Sequence, residues 1–333
     1  MRIGVIGAGS WGTTLADLLS ASGHEVTLWA YEHEVVDSIN RERVNALYLP
    51  DSPLADGLRA SDDLSDVVRD RDLLVAATPS HVLREIATAV AGSLGRGPRP
   101  LVVSASKGLE ADTLKTMSEV LEETLEGARV AALSGPSFAR EVYQRQPTAV
   151  AVASRDPDAA ALAQRVFTSE SFRVYTTDDV VGVQLGGALK NVIAIASGIL
   201  HGLGLGHNPR AALVTRGLAE MTRLGEALGA SPLTFAGLAG IGDLLLTAMG
   251  ALSRNRSLGE ELAKGRTLDE VLAERRTVTE GVRTARAAVA LSERTGVELP
   301  IASEVEKILF ENKAPAQAVK DLMGRDPKPE RWG

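Results

Sequence analysis

A lysine without an acidic neighbour stands in the middle of the most apolar stretch of the chain. Residues 186–198 read GGALKNVIAIASG, and no Asp or Glu lies three or four places from Lys190 to pair with it on a helix. Such a side chain has two outcomes. Its stem packs while the ammonium snorkels to water, or the ammonium is held in a cleft among small apolar residues. In the second case desolvation lowers the lysine pKa towards neutrality. One group can then stabilise a developing negative charge and exchange a proton with it. The small, apolar flanks favour the cleft. Asn191 beside it either bonds a ligand through its amide or bonds neighbouring backbone.

A second set of residues is suited to phosphate. RIGVIGAGSWGTTLADLL places Gly7, Gly9 and Gly12 in G-x-G-x-x-G spacing, after a strand and at the opening of a helix. Gly7 permits a tight turn, Gly9 the approach of a pyrophosphate, and Gly12 close helix–strand packing. Backbone N–H groups around Ser10 and Trp11 face the phosphate oxygens. A dinucleotide is therefore expected, although NAD and NADP are not distinguished. The second strand ends LWAYEHE, with Ala30 and Tyr31 where an acid or an arginine would choose; Glu32 follows one place late, and the nearest arginines are Arg41 and Arg43. Further loops gather at strand carboxyl ends, where ligands bind in such sheets. SASKGLE holds Lys107, either an anion ligand or a solvated lysine, and SGPSFARE offers Ser134 and Gly135 before Pro136 at a first helical position. SRNR puts Arg254 and Asn255 in a loop after a helix, as a phosphate fork or as an exposed basic turn. Asp243, opening DLLLT, reads locally as a helix N-cap. His201 and His207 have no third ligand nearby, so no metal site is expected.

These residues must be positioned by 333 residues, enough for two domains. A hydrophobic share of 44% with 24% charged residues is that of a soluble globular protein. The absence of cysteine excludes disulfides, thiolate nucleophiles and Cys-ligated zinc. A net charge of −7 argues against general binding to nucleic acid or anionic membranes, so a phosphorylated ligand must be held by a few local cations. The first apolar run begins at Ile3, leaving no room for a signal peptide, and the stretch around Lys190 looks too short to span a bilayer. A cytoplasmic location is expected.

Strands are expected from Arg2, Glu25, Asp72, Leu101, Arg129, Thr148 and Phe172, several apolar without alternation, as in a parallel sheet covered on both faces. Helical patterns fall between them at Trp11 to Ser22, Ser80 to Ser93 and Asp112 to Glu126. The alternation implies an α/β doubly wound sheet of the Rossmann type over residues 1–178. Residues 179–333 read as an all-α domain. Its helices are expected at Asp178 to Leu200, Pro209 to Leu228, Gly242 to Met249, Ser257 to Lys264, Thr267 to Ala273, Gly281 to Thr295 and Ile301 to Phe310. The closing GRDPKPERWG reads as a loose tail.

With GAGSWGT, SASKGLE, SGPSFA and LGGALKNVIAIASGI assembled, the chain resembles the bacterial NAD(P)-dependent glycerol-3-phosphate dehydrogenases. AALVTRGLAEM, GLAGIGDLLLT, LSRNRSLG, VTEGV and ELPIASEV extend the likeness over nearly the whole chain in order. The resemblance implies reversible reduction of dihydroxyacetone phosphate to sn-glycerol 3-phosphate with NAD or NADP, at the entry to phospholipid synthesis. It makes Lys190 the general acid/base. It assigns Lys107, Gly135, Ser137, Lys190, Asn191, Asp243, Ser253, Arg254 and Asn255 to the substrate. The cofactor set comprises Gly7, Gly9, Ser10, Trp11, Gly12, Tyr31, Lys107, Ala139, Arg254, Val278 and Glu280. Under it Asp243 positions Lys190 or a substrate hydroxyl, and a homodimer is the candidate assembly. Two readings compete: reduction of another hydroxy-acid or ketopantoate-like carbonyl, and a dinucleotide sensor without turnover.

Overall fold

The computed structural model describes residues 1–94, 99–327 and 329–330. Lys328 and residues 331–333 of the expected tail lie outside the described residues. Eight strands form one sheet: β1 (Arg2–Ile6), β2 (Glu25–Trp29), β3 (Arg59–Ser61), β4 (Leu73–Ala76), β5 (Leu101–Ser104), β6 (Arg129–Ser134), β7 (Thr148–Ala153) and β8 (Phe172–Thr177). Their order is β3-β2-β1-β4-β5-β6-β7-β8, so the chain reverses direction across the sheet between β1 and β4. β4 and β5 are buried at every position, which explains their unbroken apolar runs. β3 escapes the pattern because it is a three-residue edge strand with Arg59 exposed.

One pairing departs from the expected parallel sheet. β6 and β7 run antiparallel, with Leu133 opposite Val152. The only helix between them, Ala139–Tyr143, has five residues. At about 1.5 Å per residue it cannot carry the chain back along a strand of about 20 Å, so no crossover forms. Pro136 accordingly does not open a helix; Phe138 is the cap residue of that short one. The segment Asp112 to Glu126 is also shorter than expected. A capping box between Thr116 and Glu119 starts the helix at Met117, after an irregular turn.

Helices dominate after β8. The helix Val180–Gly202 runs through the middle, with every residue except Val181, His201 and Gly202 buried. By length and composition it could cross a membrane, contrary to the sequence expectation, but 89% of its most apolar window is buried by the rest of the protein. The segment Pro232–Met249 passes the same test with 39% buried. Packed around the central helix are His207–Ala227, Asp243–Met249, Arg254–Ala263, Glu280–Thr295 and Pro300–Phe310. The Arg254–Ala263 helix crosses closest, because a β-carbon on Gly198 would strike the carbonyl oxygen of Arg256 and one on Gly259 that of Ile195. Arg254 and Asn255 therefore open a helix rather than lie in the expected loop.

Candidate functional site

The glycine loop has the geometry its spacing implies. Gly7 adopts φ +111°, and a β-carbon on Gly12 would run into the carbonyl oxygen of Gly7. A β-carbon on Gly9 would meet nothing within 4 Å, leaving the loop open to a ligand. The helix Ser10–Ala21 starts there with no side-chain cap, so N–H groups of its first turn face the opening. Trp11 adds a buried indole N–H with no partner. Residues of this kind fit a pyrophosphate. Around them Asn45, fully buried, donates to the Ala8 carbonyl and to Thr13 Oγ1, both at 2.8 Å. Ser10 Oγ donates to the Tyr48 carbonyl at 2.7 Å, and Thr14 Oγ1 to the Ala139 carbonyl at 3.2 Å.

At the end of β2, Tyr31 is 82% exposed and stands edge-on to Trp29 with ring centroids 6.4 Å apart. Glu32 accepts a hydrogen bond from Tyr48 Oη at 2.6 Å. Burial, reinforced by that carboxylate, pushes the Tyr48 pKa up to about 12.

Lys190 is 6% exposed, so its ammonium does not snorkel. The partner absent from its own helix comes from Asp243, whose Oδ1 accepts from Nζ at 2.5 Å; Thr247 Oγ1 lies 2.8 Å from the same nitrogen. Asp243 and Thr247 share a helix face at i, i+4 spacing. The second carboxylate oxygen of Asp243 accepts from Lys107 Nζ at 2.8 Å, and Lys107 also donates to the Gly135 carbonyl at 2.9 Å. Asp243 is thus a buried bridge between two ammonium groups rather than an N-cap, the cap position being Gly242. Burial lowers the Lys190 pKa to about 7; the Asp243 carboxylate opposes this and Lys107 adds to it. Ser137 Oγ donates to the Gly135 carbonyl at 2.9 Å, which brings the loop after β6 to the same place.

Asn191 accepts from Asn255 Nδ2 at 2.9 Å, and Asn255 Oδ1 accepts from the Gly281 N–H at 3.0 Å. Ser253 caps its helix by accepting from the Arg256 N–H at 3.2 Å. Arg254, the first residue of that helix, is solvent-exposed, although surrounding atoms still desolvate its guanidinium. Desolvation lowers its pKa, while Glu280 acts to raise it and Arg275 to lower it. Among the described residues no hydrogen bond holds its guanidinium. Val278 is half-buried in the segment leading to Glu280.

The structure therefore joins Lys107, Gly135, Ser137, Lys190 and Asp243 in one cluster and Asn191, Ser253, Arg254, Asn255 and Glu280 in a second cluster beside it. The glycine loop, Ser10, Trp11 and Ala139 form a third cluster, and Tyr31 stands apart just past the carboxyl end of β2. Sequence reasoning missed Thr247, for which the i, i+4 spacing from Asp243 was a usable signal. It also missed Asn45 and Tyr48, which sit in irregular segments without any periodic signal. Among the described residues no three His, Asp or Glu side chains are grouped to hold a metal ion.

Profiles of two known domains match the chain. Residues 2–160 match the NAD-dependent glycerol-3-phosphate dehydrogenase N-terminus, and residues 179–320 match its C-terminus. A glycerol-3-phosphate dehydrogenase [NAD(P)+] of Geobacter sulfurreducens is 57% identical over 99% of both chains. That of Myxococcus xanthus is 50% identical over the full length of both. The crystal structure of a glycerol-3-phosphate dehydrogenase from Coxiella burnetii superposes with a TM-score of 0.93 at 38% identity, covering 97% of this chain and 99% of that one. A ketopantoate reductase from Ralstonia eutropha shares the fold alone, at 20% identity over 96% of this chain and all of that one, with a TM-score of 0.62.

Proposed function

Since the chain belongs to the NAD-dependent glycerol-3-phosphate dehydrogenases, we propose how its own side chains carry the family's reaction. It is an NAD(P)-dependent oxidoreductase that interconverts dihydroxyacetone phosphate and sn-glycerol 3-phosphate. The glycine loop with Ser10, Trp11 and Ala139, and across the cleft Arg254, Val278 and Glu280, would hold NADH or NADPH, which supplies the hydride when bound. Tyr31 and Lys107 complete the proposed cofactor set.

Lys190 acts on the substrate oxygen. As the ketone carbon is reduced, negative charge grows on that oxygen, and the Lys190 ammonium stabilises it and gives up a proton to it. In the opposite direction the neutral amine takes the proton from the alcohol. A pKa of about 7 lets both forms exist near neutrality. Asp243 holds Nζ in position and shares its charge with Lys107, while Thr247 fixes the third direction around the nitrogen. The phosphate is met by the Arg254 guanidinium and by the unfilled first N–H groups of the helix at Arg254 and Asn255. The Asn255 amide itself is committed to Asn191 and Gly281, so its contribution is through backbone and through orienting Asn191. Gly135, Ser137 and Ser253 line the same cleft.

We propose further that the domain boundary lies at residue 178, that the product feeds phospholipid synthesis in the cytoplasm, and that the chain assembles as a homodimer. The single observation that carries the mechanism is a buried lysine whose one charged partner among the described residues is shared with a second lysine. Oxidation of NADH followed with dihydroxyacetone phosphate, and then with unphosphorylated dihydroxyacetone, tests the substrate. Lys190→Met and Lys190→Arg are each expected to lower turnover at least about 100-fold while NADH binding stays near wild type. Retained turnover in folded Lys190→Met would remove Lys190 from the mechanism.

A further inference from the structure

Glu280 and Arg254 open two helices that are tied side by side. The Gly281 N–H bonds Asn255 Oδ1 at 3.0 Å, and Arg275 donates to the Arg254 carbonyl at 2.8 Å. A carboxylate and a guanidinium at neighbouring helix starts can form a bidentate pair where they reach each other. No hydrogen bond joins them here. Both carboxylate oxygens of Glu280 are taken by one residue from the other half of the chain: the Ser80 N–H donates to Oε1 at 2.9 Å and the Ser80 hydroxyl to Oε2 at 2.5 Å. Ser80 is 3% exposed and opens the single 3-10 turn Ser80–Val82 that follows β4. Gly108, in the loop that carries Lys107, closes over the pair. A β-carbon there would lie 2.6 Å from Ser80 Oγ and 3.1 Å from Glu280 Oε2.

We propose that Ser80 is a positioning residue that restrains the Glu280 carboxylate from Arg254 and so leaves the guanidinium open for the substrate phosphate. The inference rests on the assignment of Arg254 to that phosphate. Glu280 is near enough for its charge to act on Arg254, so the competition is electrostatically favoured once the restraint is lost. The Ser80 N–H survives any side-chain change, but it holds only one carboxylate oxygen. With the hydroxyl removed, the other oxygen is free to turn to the arginine and cover donors that phosphate needs. The alternative is a plain tie between the two halves of the chain, which would affect stability and not phosphate recognition.

The test uses the full-length protein with Ser80→Ala, and with Ser80→Cys as a second variant that keeps the connectivity of the side chain, with a larger atom, but donates a far weaker hydrogen bond. Steady-state kinetics at saturating NADH give kcat and KM for dihydroxyacetone phosphate, and inorganic phosphate serves as a competitive inhibitor reporting on Arg254. KM and the phosphate inhibition constant are expected to rise about 5–10-fold, with kcat within about twofold of wild type. In a Glu280→Gln background, where no carboxylate charge competes, the same Ser80 change should cost less than about twofold. An equal penalty in both backgrounds, or a lowered melting temperature with unchanged phosphate inhibition, overturns the proposal in favour of a structural tie. Arg254→Ala measured alongside separates the two assumptions. Unchanged phosphate inhibition in that variant removes the Arg254 assignment, whereas a large rise there with none in the Ser80 variants removes only the role of Ser80.

Discussion

Two opposing effects act on the Lys190 ammonium. Burial in the packed interior disfavours the charge, and the Asp243 carboxylate at 2.5 Å favours it, with burial the stronger and the pKa lowered to about 7. The sign of the pH dependence follows. Ketone reduction needs the proton on Lys190, so its rate should be high below about pH 7 and fall above it, while alcohol oxidation needs the neutral amine and should rise through the same range. Asp243→Asn removes the influence that raises the pKa and leaves Lys107 facing Lys190, so the reduction limb should move to lower pH. Rate profiles in both directions check this; a limb near the ordinary lysine value would show that burial does not lower the Lys190 pKa. The need for a buried cation was legible from the apolar flanks of Lys190. Asp243 was reached only through the family resemblance and not from the residues around Lys190, because a charge 53 positions away in sequence leaves no mark on the helix it pairs with.

At the level of elements, cofactor choice and site assembly depend on where strands and helices end. The end of β2 carries no arginine for a 2′-phosphate, and Glu32 there is held by Tyr48 rather than free to swing in. Specificity constants for NADH and NADPH are therefore expected to differ by less than about 100-fold, or about 2.7 kcal/mol; a larger ratio would reveal a selector elsewhere. The phosphate cluster depends on the crossing of Val180–Gly202 and Arg254–Ala263. Gly198→Ala pushes a methyl group into the Arg256 carbonyl, so the helices must separate. A net loss of about 1–3 kcal/mol in chemical denaturation is expected, with a raised KM for dihydroxyacetone phosphate because Arg254 moves with its helix. Wild-type stability in this variant would show that the crossing tolerates the change. The helix over Arg254–Ala263 was misjudged by three residues at its start because S-R-N-R reads as a basic turn. The Ser253 cap closes its first turn, and the packing of Gly259 on Ile195 holds the turn that follows.

Across the whole molecule, the proposed cofactor residues are split between the two halves of the chain. Bound NADH should therefore slow hydrogen exchange both in residues 7–14 and in residues 254–281, and at 100 times its Kd it should stabilise the fold by about 2.7 kcal/mol. Protection confined to the first segment would withdraw Arg254, Val278 and Glu280 from the cofactor set. The alternation of apolar runs with amphipathic ones carried the sheet-plus-helices architecture, because burial on both faces of a strand and on one face of a helix imposes patterns that are local in sequence. The glycine fingerprint was local too, since the positive φ of Gly7 and the contact of Gly12 with the Gly7 carbonyl fall within one short loop. The antiparallel β6–β7 pair, the edge strand β3, the Asp243 bridge between Lys107 and Lys190, and the hold of Ser80 on Glu280 were decided only by the tertiary structure. Each depends on which distant segments are brought within a few ångströms, and such a pairing is a property of the packed chain rather than of any window along it.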